Sequence, residues 1–223
     1  MPFSQRSIDF LFENRLHDSR EWFNEHKEEY KELVTEPMSQ LILDLTATMA
    51  KIDKQMICDP KRISRLYRDQ RMHPDSVFRD HIWYSFGRAK TERFMPRPEF
   101  YFSIGAGGMS FGCGYYCARP AVMEAARRLI LDGDECFKKA FLAFGKQKTF
   151  QLYGEMYKKD RFPDQPTELK NWLNRRSIGV SGDITDPELM FSDKLSAYVA
   201  KEFKKIAPLY EFYLKSEALA TNI

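Results

Sequence analysis

Apolar residues recur at helical spacing over the first fifty positions of the chain and then change their rhythm. Ser4 can cap a short first helix. Ser19 can cap a second, on which Trp22, Phe23, His26, Tyr30 and Leu33 form one apolar stripe with Glu and Lys on the outer side. Pro37 has no N–H to donate and its ring crowds the turn before it, so a kink or restart is predicted there. Met38, Leu41, Ile42, Leu45 and Met49 then resume the helical period.

Between residues 57 and 116 the period shortens to two. Ile82, Tyr84 and Phe86 alternate with Trp83 and Ser85, and Phe100, Phe102 and Ile104 with Tyr101 and Ser103. Met109, Phe111, Cys113 and Tyr115 alternate with Ser110, Gly112, Gly114 and Tyr116. A loop through Gly105, Gly107 and Gly108 predicts an antiparallel hairpin from the last two runs. Its glycine-bearing face lacks side-chain volume, which leaves room for a helix, another backbone or a ligand.

After Pro120 the helical period returns. Val122, Met123, Ala126, Leu129 and Ile130 make a stripe that Gly133 ends, and Phe137, Phe141 and Phe144 mark a shorter helix. Residues 149–161 carry no clear period. Leu169, Trp172 and Leu173 give a short helix and Ile178 to Val180 a strand. A long last helix runs through Leu195, Tyr198, Val199, Phe203, Ile206, Leu209 and Tyr213, bent at Pro208.

This order predicts an α+β fold, a central antiparallel sheet with a glycine-rich hairpin covered by N-terminal and C-terminal helices. Roughly 1–55 are helical, 56–118 mainly strand and 119–223 mainly helical, in one domain spanning 1–223. With 223 residues, 43% of them hydrophobic, the chain can bury a sizeable core. Helix, then strand, then helix argues against a doubly wound parallel sheet.

The net charge of +3 is too small to argue for general nucleic-acid binding, but it is unevenly spread. Between Lys61 and Arg97 ten Lys or Arg face four Asp or Glu, so the rest of the chain is slightly acidic. Cys58, Cys113, Cys117 and Cys136 have no redox-motif or zinc-knuckle spacing. In a strand, Cys113 and Cys117 would stand about 13 Å apart, too far for a disulfide, which favours reduced thiols. The segment MPFSQRSIDF has no long apolar run or cleavage-like site, and nowhere do about 18 apolar residues follow one another. The chain reads as cytoplasmic, with no membrane partner.

Four segments, FLFENRLHDSREWFNEHKEEY, SRLYRDQR, FYFSIGAGGMSFGCGYY and IAPLYEFYL, occur in the order found in an uncharacterised family. On these segments the chain resembles the domain of unknown function 2461 over nearly its whole length, SRLYRDQR after the WF helix being the most specific part. The resemblance implies an architecture and brings no established activity, substrate or catalytic residues. Where the family pattern continues Asp-Lys-x-Pro-Tyr-Lys, this chain has Asp75, Ser76, Val77, Phe78 and Arg79, so Ser76 stands in the lysine's place.

The candidate chemistry lies in PKRISRLYRDQR, where Arg62, Arg65, Arg68 and Arg71 recur every third residue with Tyr67 and Asp69 between them. Arginines beside aspartates also form local ion pairs, which contribute roughly 0 to 1 kcal/mol when exposed. Clustering points to a second use: Arg65 and Arg68, helped by Arg71 and Arg79, hold a phosphate or carboxylate through forked charge-assisted bonds. Tyr67 supplies a phenolic donor or stacking surface, and Tyr101 and Tyr115 line the same pocket between sheet and helices. Asp69 orients an arginine; beside several guanidinium groups its pKa falls, which makes it a poor proton shuttle near neutrality.

His73 and His81 flank this region without the helical pair spacing or neighbouring Cys and Glu that a metal site needs. His26, on the apolar stripe, reads as a core or rim residue. The glycines of GAGG lie between two strands, so they form a hairpin turn and not a phosphate cradle. Cofactor and oligomeric state have no signature in the chain. The leading expectation is therefore a protein that binds, or binds and acts on, a small anionic metabolite or nucleotide. The alternatives are nucleic-acid binding through the basic segment 61–97 and a protein-interaction module using the tyrosine-rich last helix.

Overall fold

The computed structural model describes residues 2–89 and 96–221. The first helix α1, Gln5–His17, begins at Ser4, whose N–H donates to Ser7 Oγ at 3.0 Å. Helix α2, Arg20–Glu25, begins at Ser19, whose Oγ accepts from Trp22 N at 3.3 Å. Helix α3, Lys27–Tyr30, runs through a π-helical turn, Lys31–Thr35, into α4, Glu36–Ile52. The turn is how the chain handles Pro37. With no N–H at Pro37 the carbonyl one turn earlier loses its partner, and the register widens so that Glu36 N–H donates to Lys31 O, five residues back. The kink predicted at Pro37 is thus a local widening placed just before it.

The strands are β1 (Met56–Ile57), β2 (His81–Arg88), β3 (Glu99–Gly105), β4 (Gly108–Gly114), β5 (Gln151–Tyr153) and β6 (Gly179–Ile184). They form a six-stranded antiparallel sheet in the order β1-β2-β3-β4-β6-β5. The predicted hairpin is β3–β4. Between β4 and β6 lie α5 (Pro120–Leu131), α6 (Glu135–Lys146) and α7 (Thr167–Leu173); α8 (Pro187–Met190) and α9 (Leu195–Thr221, with Pro208 inside it) follow. The fold is α+β, with helices at both ends of the chain as expected. No helix among the described residues is long and apolar enough to cross a membrane.

One departure from the expectation bears on function. Residues 58–80, inside the stretch expected to be mainly strand, hold a 3-10 turn at Pro60–Arg62 and a single bridge, Tyr67 with Phe78. The run from Asp69 to Ser76 has no apolar alternation to bury, and prolines at 60 and 74 remove ladder donors, so no sheet strand forms there.

The chain divides into two compact units. The first comprises Met1–Phe86, Tyr101–Phe111 and Asp183–Ala200. Its core includes Phe10, Leu11, Val34, Met38, Ile42, Phe78, Ile82 and Phe102, all fully buried. Burial of each such side chain contributes roughly 1.5 to 3 kcal/mol. Trp22 stacks between His17 and His26, with centroids 4.8 and 4.1 Å away, and His26 Nδ1 lies 2.7 Å from Trp22 O, so His26 is a half-buried rim residue.

The second unit comprises Gly87–Phe100, Gly112–Gly182 and Lys201–Ile223. Phe100 packs against Phe203 and Tyr210 with centroids 4.9 and 5.2 Å apart, and Phe137 against Trp172 and Phe212. The face cleared by Gly114 receives another backbone: a Cβ there would collide with Gly179 Cα and stand 2.9 Å from Ile178 O. Strand β5, which the sequence leaves unassigned, pairs antiparallel with β6.

Candidate functional site

Within the first unit, two walls enclose an open groove of about 490 Å3. One wall follows the helices: Phe23 from α2, Tyr30 from α3, Thr35 from the π-helical turn and Ser39 from α4. The other is the irregular segment Pro60, Lys61, Ile63, Ser64, Arg65, Leu66 and Tyr67. The two walls run in opposite senses. Tyr67 meets Phe23 at one end, with ring centroids 5.5 Å apart, and α4 packs against the turn that carries Pro60 and Lys61 at the other.

Among the described residues no carboxylate lines this groove. Lys61 and Arg65 are exposed and neither forms an ion pair with a described residue. Thr35 Oγ1 donates to Lys31 O and Ser39 Oγ to Thr35 O, while Ser64 Oγ accepts from Trp83 N at 2.8 Å. All three keep acceptor capacity toward the groove. Burial pushes the Tyr30 phenol up, so Tyr30 stays a neutral donor at any physiological pH.

The wall carrying Arg65 and Tyr67 is held from behind. Arg68 N donates to Val77 O and Arg79 N to Leu66 O, both at 2.8 Å, making a short ladder around the Tyr67–Phe78 bridge. Asp18, in the left-handed conformation that ends α1, accepts from the N–H groups of Val77 and Phe78. Ser76 is buried and donates its hydroxyl to Phe78 O at 3.1 Å. It serves the loop's own backbone.

The fold separates the arginines more than the sequence implies. Arg65 and Tyr67 line the groove, and Tyr67 is 38% exposed. Arg68 is not among the lining residues; its Nε donates to Phe78 O at 3.0 Å. Arg71 doubles back on Asp69, with Nε to Oδ1 at 3.0 Å and a second guanidinium nitrogen to Oδ2 at 2.7 Å. That pairing holds the Asp69 carboxyl down at about 2, so Asp69 is a carboxylate near neutrality. Arg79 stacks over Trp83, 5.0 Å from the ring centroid. Tyr101 sits half-buried on β3, on the face opposite Phe102 and Ile104. Tyr115, in the second unit, is buried and donates its hydroxyl to Tyr213 O at 3.2 Å. Within the basic segment 61–97, residues 90–95 lie outside the described residues.

The separation has a local cause. A three-residue arginine period matches neither a strand nor a helix, and the chain is a turn at Arg62, extended through Tyr67 and a tight loop at Asp69. Residues that sequence reasoning missed are Lys61, Tyr30, Thr35 and Ser39. Tyr30 was visible only as one member of an apolar stripe. The one pointer to Thr35 and Ser39 was Pro37, which forces the register change beside them.

In the second unit, a depression of about 410 Å3 is lined by Lys139, Lys146 and Lys205, but Lys205 is bound to the buried Glu202 at 2.5 Å. Tyr157 lies beneath the Arg161 guanidinium at 3.7 Å and beside buried Arg127 at 5.3 Å; Arg127 donates to Leu173 O at the end of α7 and to Arg175 O just beyond it. Among the described residues no three His, Cys, Asp or Glu side chains gather as a metal site requires.

No curated protein and no solved structure matches the chain. A family of conserved hypothetical proteins does match, over residues 6–212, which takes in α1, the groove, the sheet and most of α9. With nearly the whole length covered, the chain belongs to that family, DUF2461.

Proposed function

We propose that this protein binds a small organic anion in the groove between the α2–α4 helices and residues 60–67. One observation carries the reading: among the described residues Lys61 and Arg65 have no ion-pair partner, and the aromatic-walled groove they line holds no carboxylate. Its volume, about 490 Å3, falls in the usual range for small-molecule sites. A π-helical turn in the wall supports the reading further, because such register changes occur frequently at functional sites. Arg65, free of competing acceptors, retains its full fork of donors for a phosphate or carboxylate. Four unbridged thiols fit a reducing, cytoplasmic setting.

The test is a thermal-shift and calorimetric screen of phosphate esters and di- and tricarboxylates at low salt, with Arg65→Ala, Lys61→Ala and Arg71→Ala beside the parent. At least one anion stabilises the parent, and Arg65→Ala weakens it about tenfold or more, the loss of one charge-assisted contact. Arg71→Ala leaves binding unchanged, since Arg71 is committed to Asp69. If no anion stabilises the parent, or if binding survives the double Lys61→Ala, Arg65→Ala variant, the proposal is wrong.

A further inference from the structure

Resting on that reading, we infer that the anion is a nucleotide, bound with its base at the Tyr67 end of the groove and its phosphate at Arg65 and Lys61. The inference comes from the chemistry the groove gathers: aromatic rings, hydroxyls and cations. At one end Tyr67, Phe23 and Tyr30 form a continuous aromatic group, with centroids 5.5 Å apart for Phe23 and Tyr67 and 5.3 Å for Phe23 and Tyr30. Phe78 backs Tyr67 at 4.6 Å, which fixes the Tyr67 ring while leaving it 38% exposed beside the groove. A rigid, partly open aromatic ring of this kind is a stacking platform for a planar base.

The same groove carries the hydroxyls of Thr35, Ser64 and Ser39. An acyl chain laid across them would strip their water and return no hydrogen bonds. A sugar, with hydroxyls of its own, can pair with them. Arg65 stands two residues from Tyr67, about 7 Å of extended backbone, and Lys61 four residues further back beside α4. The groove thus offers an aromatic ring for a base, hydroxyls for a sugar and two cations for a phosphate, Arg65 near the ring and Lys61 at the far end. A compact anion such as citrate uses the cations and leaves the aromatic end bare.

The probes are the four common ribonucleoside 5′-monophosphates, ribose 5-phosphate, adenosine and inorganic phosphate, titrated calorimetrically into the full chain. At least one monophosphate binds about tenfold more tightly than ribose 5-phosphate, the usual yield of one base stacked on an aromatic side chain. Tyr67→Leu removes that preference and leaves the affinity for ribose 5-phosphate unchanged, while Arg65→Ala weakens both phosphates by a similar factor. Because Tyr67→Leu also touches the Phe23 and Phe78 packing, saturation-transfer NMR on the unmutated chain gives a second readout, in which base protons receive the strongest transfer.

The possible failures separate. If ribose 5-phosphate or inorganic phosphate binds as tightly as every monophosphate, or if only carboxylates bind, the nucleotide assignment is overturned and the anion groove stands. If adenosine binds as well as its monophosphate and Arg65→Ala has no effect, or if no anion of either panel binds, both fall.

Discussion

Asp18 Oδ1 accepts the Phe78 N–H at 2.8 Å across a sequence separation of 60, joining the end of α1 to the loop behind the groove. The same carboxylate accepts from Val77 N at 3.1 Å and pairs with Arg15 at 3.3 Å. Asp18 does this from a left-handed conformation, φ 47°, which Asp and Asn tolerate better than other side-chain-bearing residues.

Asp18→Ala therefore strands two partly buried N–H groups and retains the unfavourable backbone, a cost of about 3 kcal/mol. Asp18→Asn keeps the conformation and one acceptor and costs about 1 kcal/mol. Urea unfolding of both variants checks the order. A loss below about 1 kcal/mol for Asp18→Ala would show that the carboxylate does not clamp the loop.

Gly154 offers a backbone test in the second unit. Its φ is 123°, and a Cβ there would collide with Ser177 O. Gly154→Ala is expected to cost at least about 3 kcal/mol, because neither the dihedral nor the carbonyl can yield cheaply. Gly107→Ala, with nothing within 4 Å of the added carbon, should change stability by less than about 1 kcal/mol. Thermal denaturation of the pair reads the contrast.

Asp160 sets an acid limit on the loop before α7. The Phe162 N–H, then Asn174 and Lys170, hold its carboxyl down at about 2. The folded value lies below the ordinary one of about 3.9, so this contribution is fully present above that pH and is lost as pH falls through about 2. The stability gap between the parent and Asp160→Asn should be constant above about pH 5 and narrow between about 4 and 2. Denaturant midpoints measured across that window would contradict the assignment if the gap did not change.

The thiols predict an order of labelling. Cys117 is exposed, Cys58 and Cys136 are half-buried with thiols pushed up by burial, and Cys113 is fully buried with its thiol pushed up further. Alkylation of the native protein followed by mass spectrometry should mark Cys117 first, Cys58 and Cys136 more slowly, and Cys113 only after unfolding. Early labelling of Cys113 would mean that β4 opens readily.

Much of the fold was legible because it rests on short-range periods. Ser4 and Ser19 mark helix starts, the alternations through Phe86, Phe102 and Phe111 mark β2 to β4, and Gly133, at φ 64°, ends α5. Strand β5 was not legible. Its three residues have an exposed and two half-buried side chains, and what makes them a strand is pairing with β6, some thirty residues away. The candidate site was half legible. Arg65 and Tyr67 were readable as a cation beside an aromatic, but Lys61, Thr35 and Ser39 carry no motif.

From its residues alone, then, the chain determines an α+β architecture, the hairpin and a cation-rich middle segment, since helix and strand periods and turn residues act over a few positions. Which cations face a groove and which are neutralised was decided by the tertiary structure. A side chain's direction in irregular backbone depends on contacts such as Asp18 with Phe78 and Tyr67 with Phe23, made between residues far apart in the sequence. Arg71 had an acceptor two residues away and folded back onto it, whereas Arg65 had none and lines the groove.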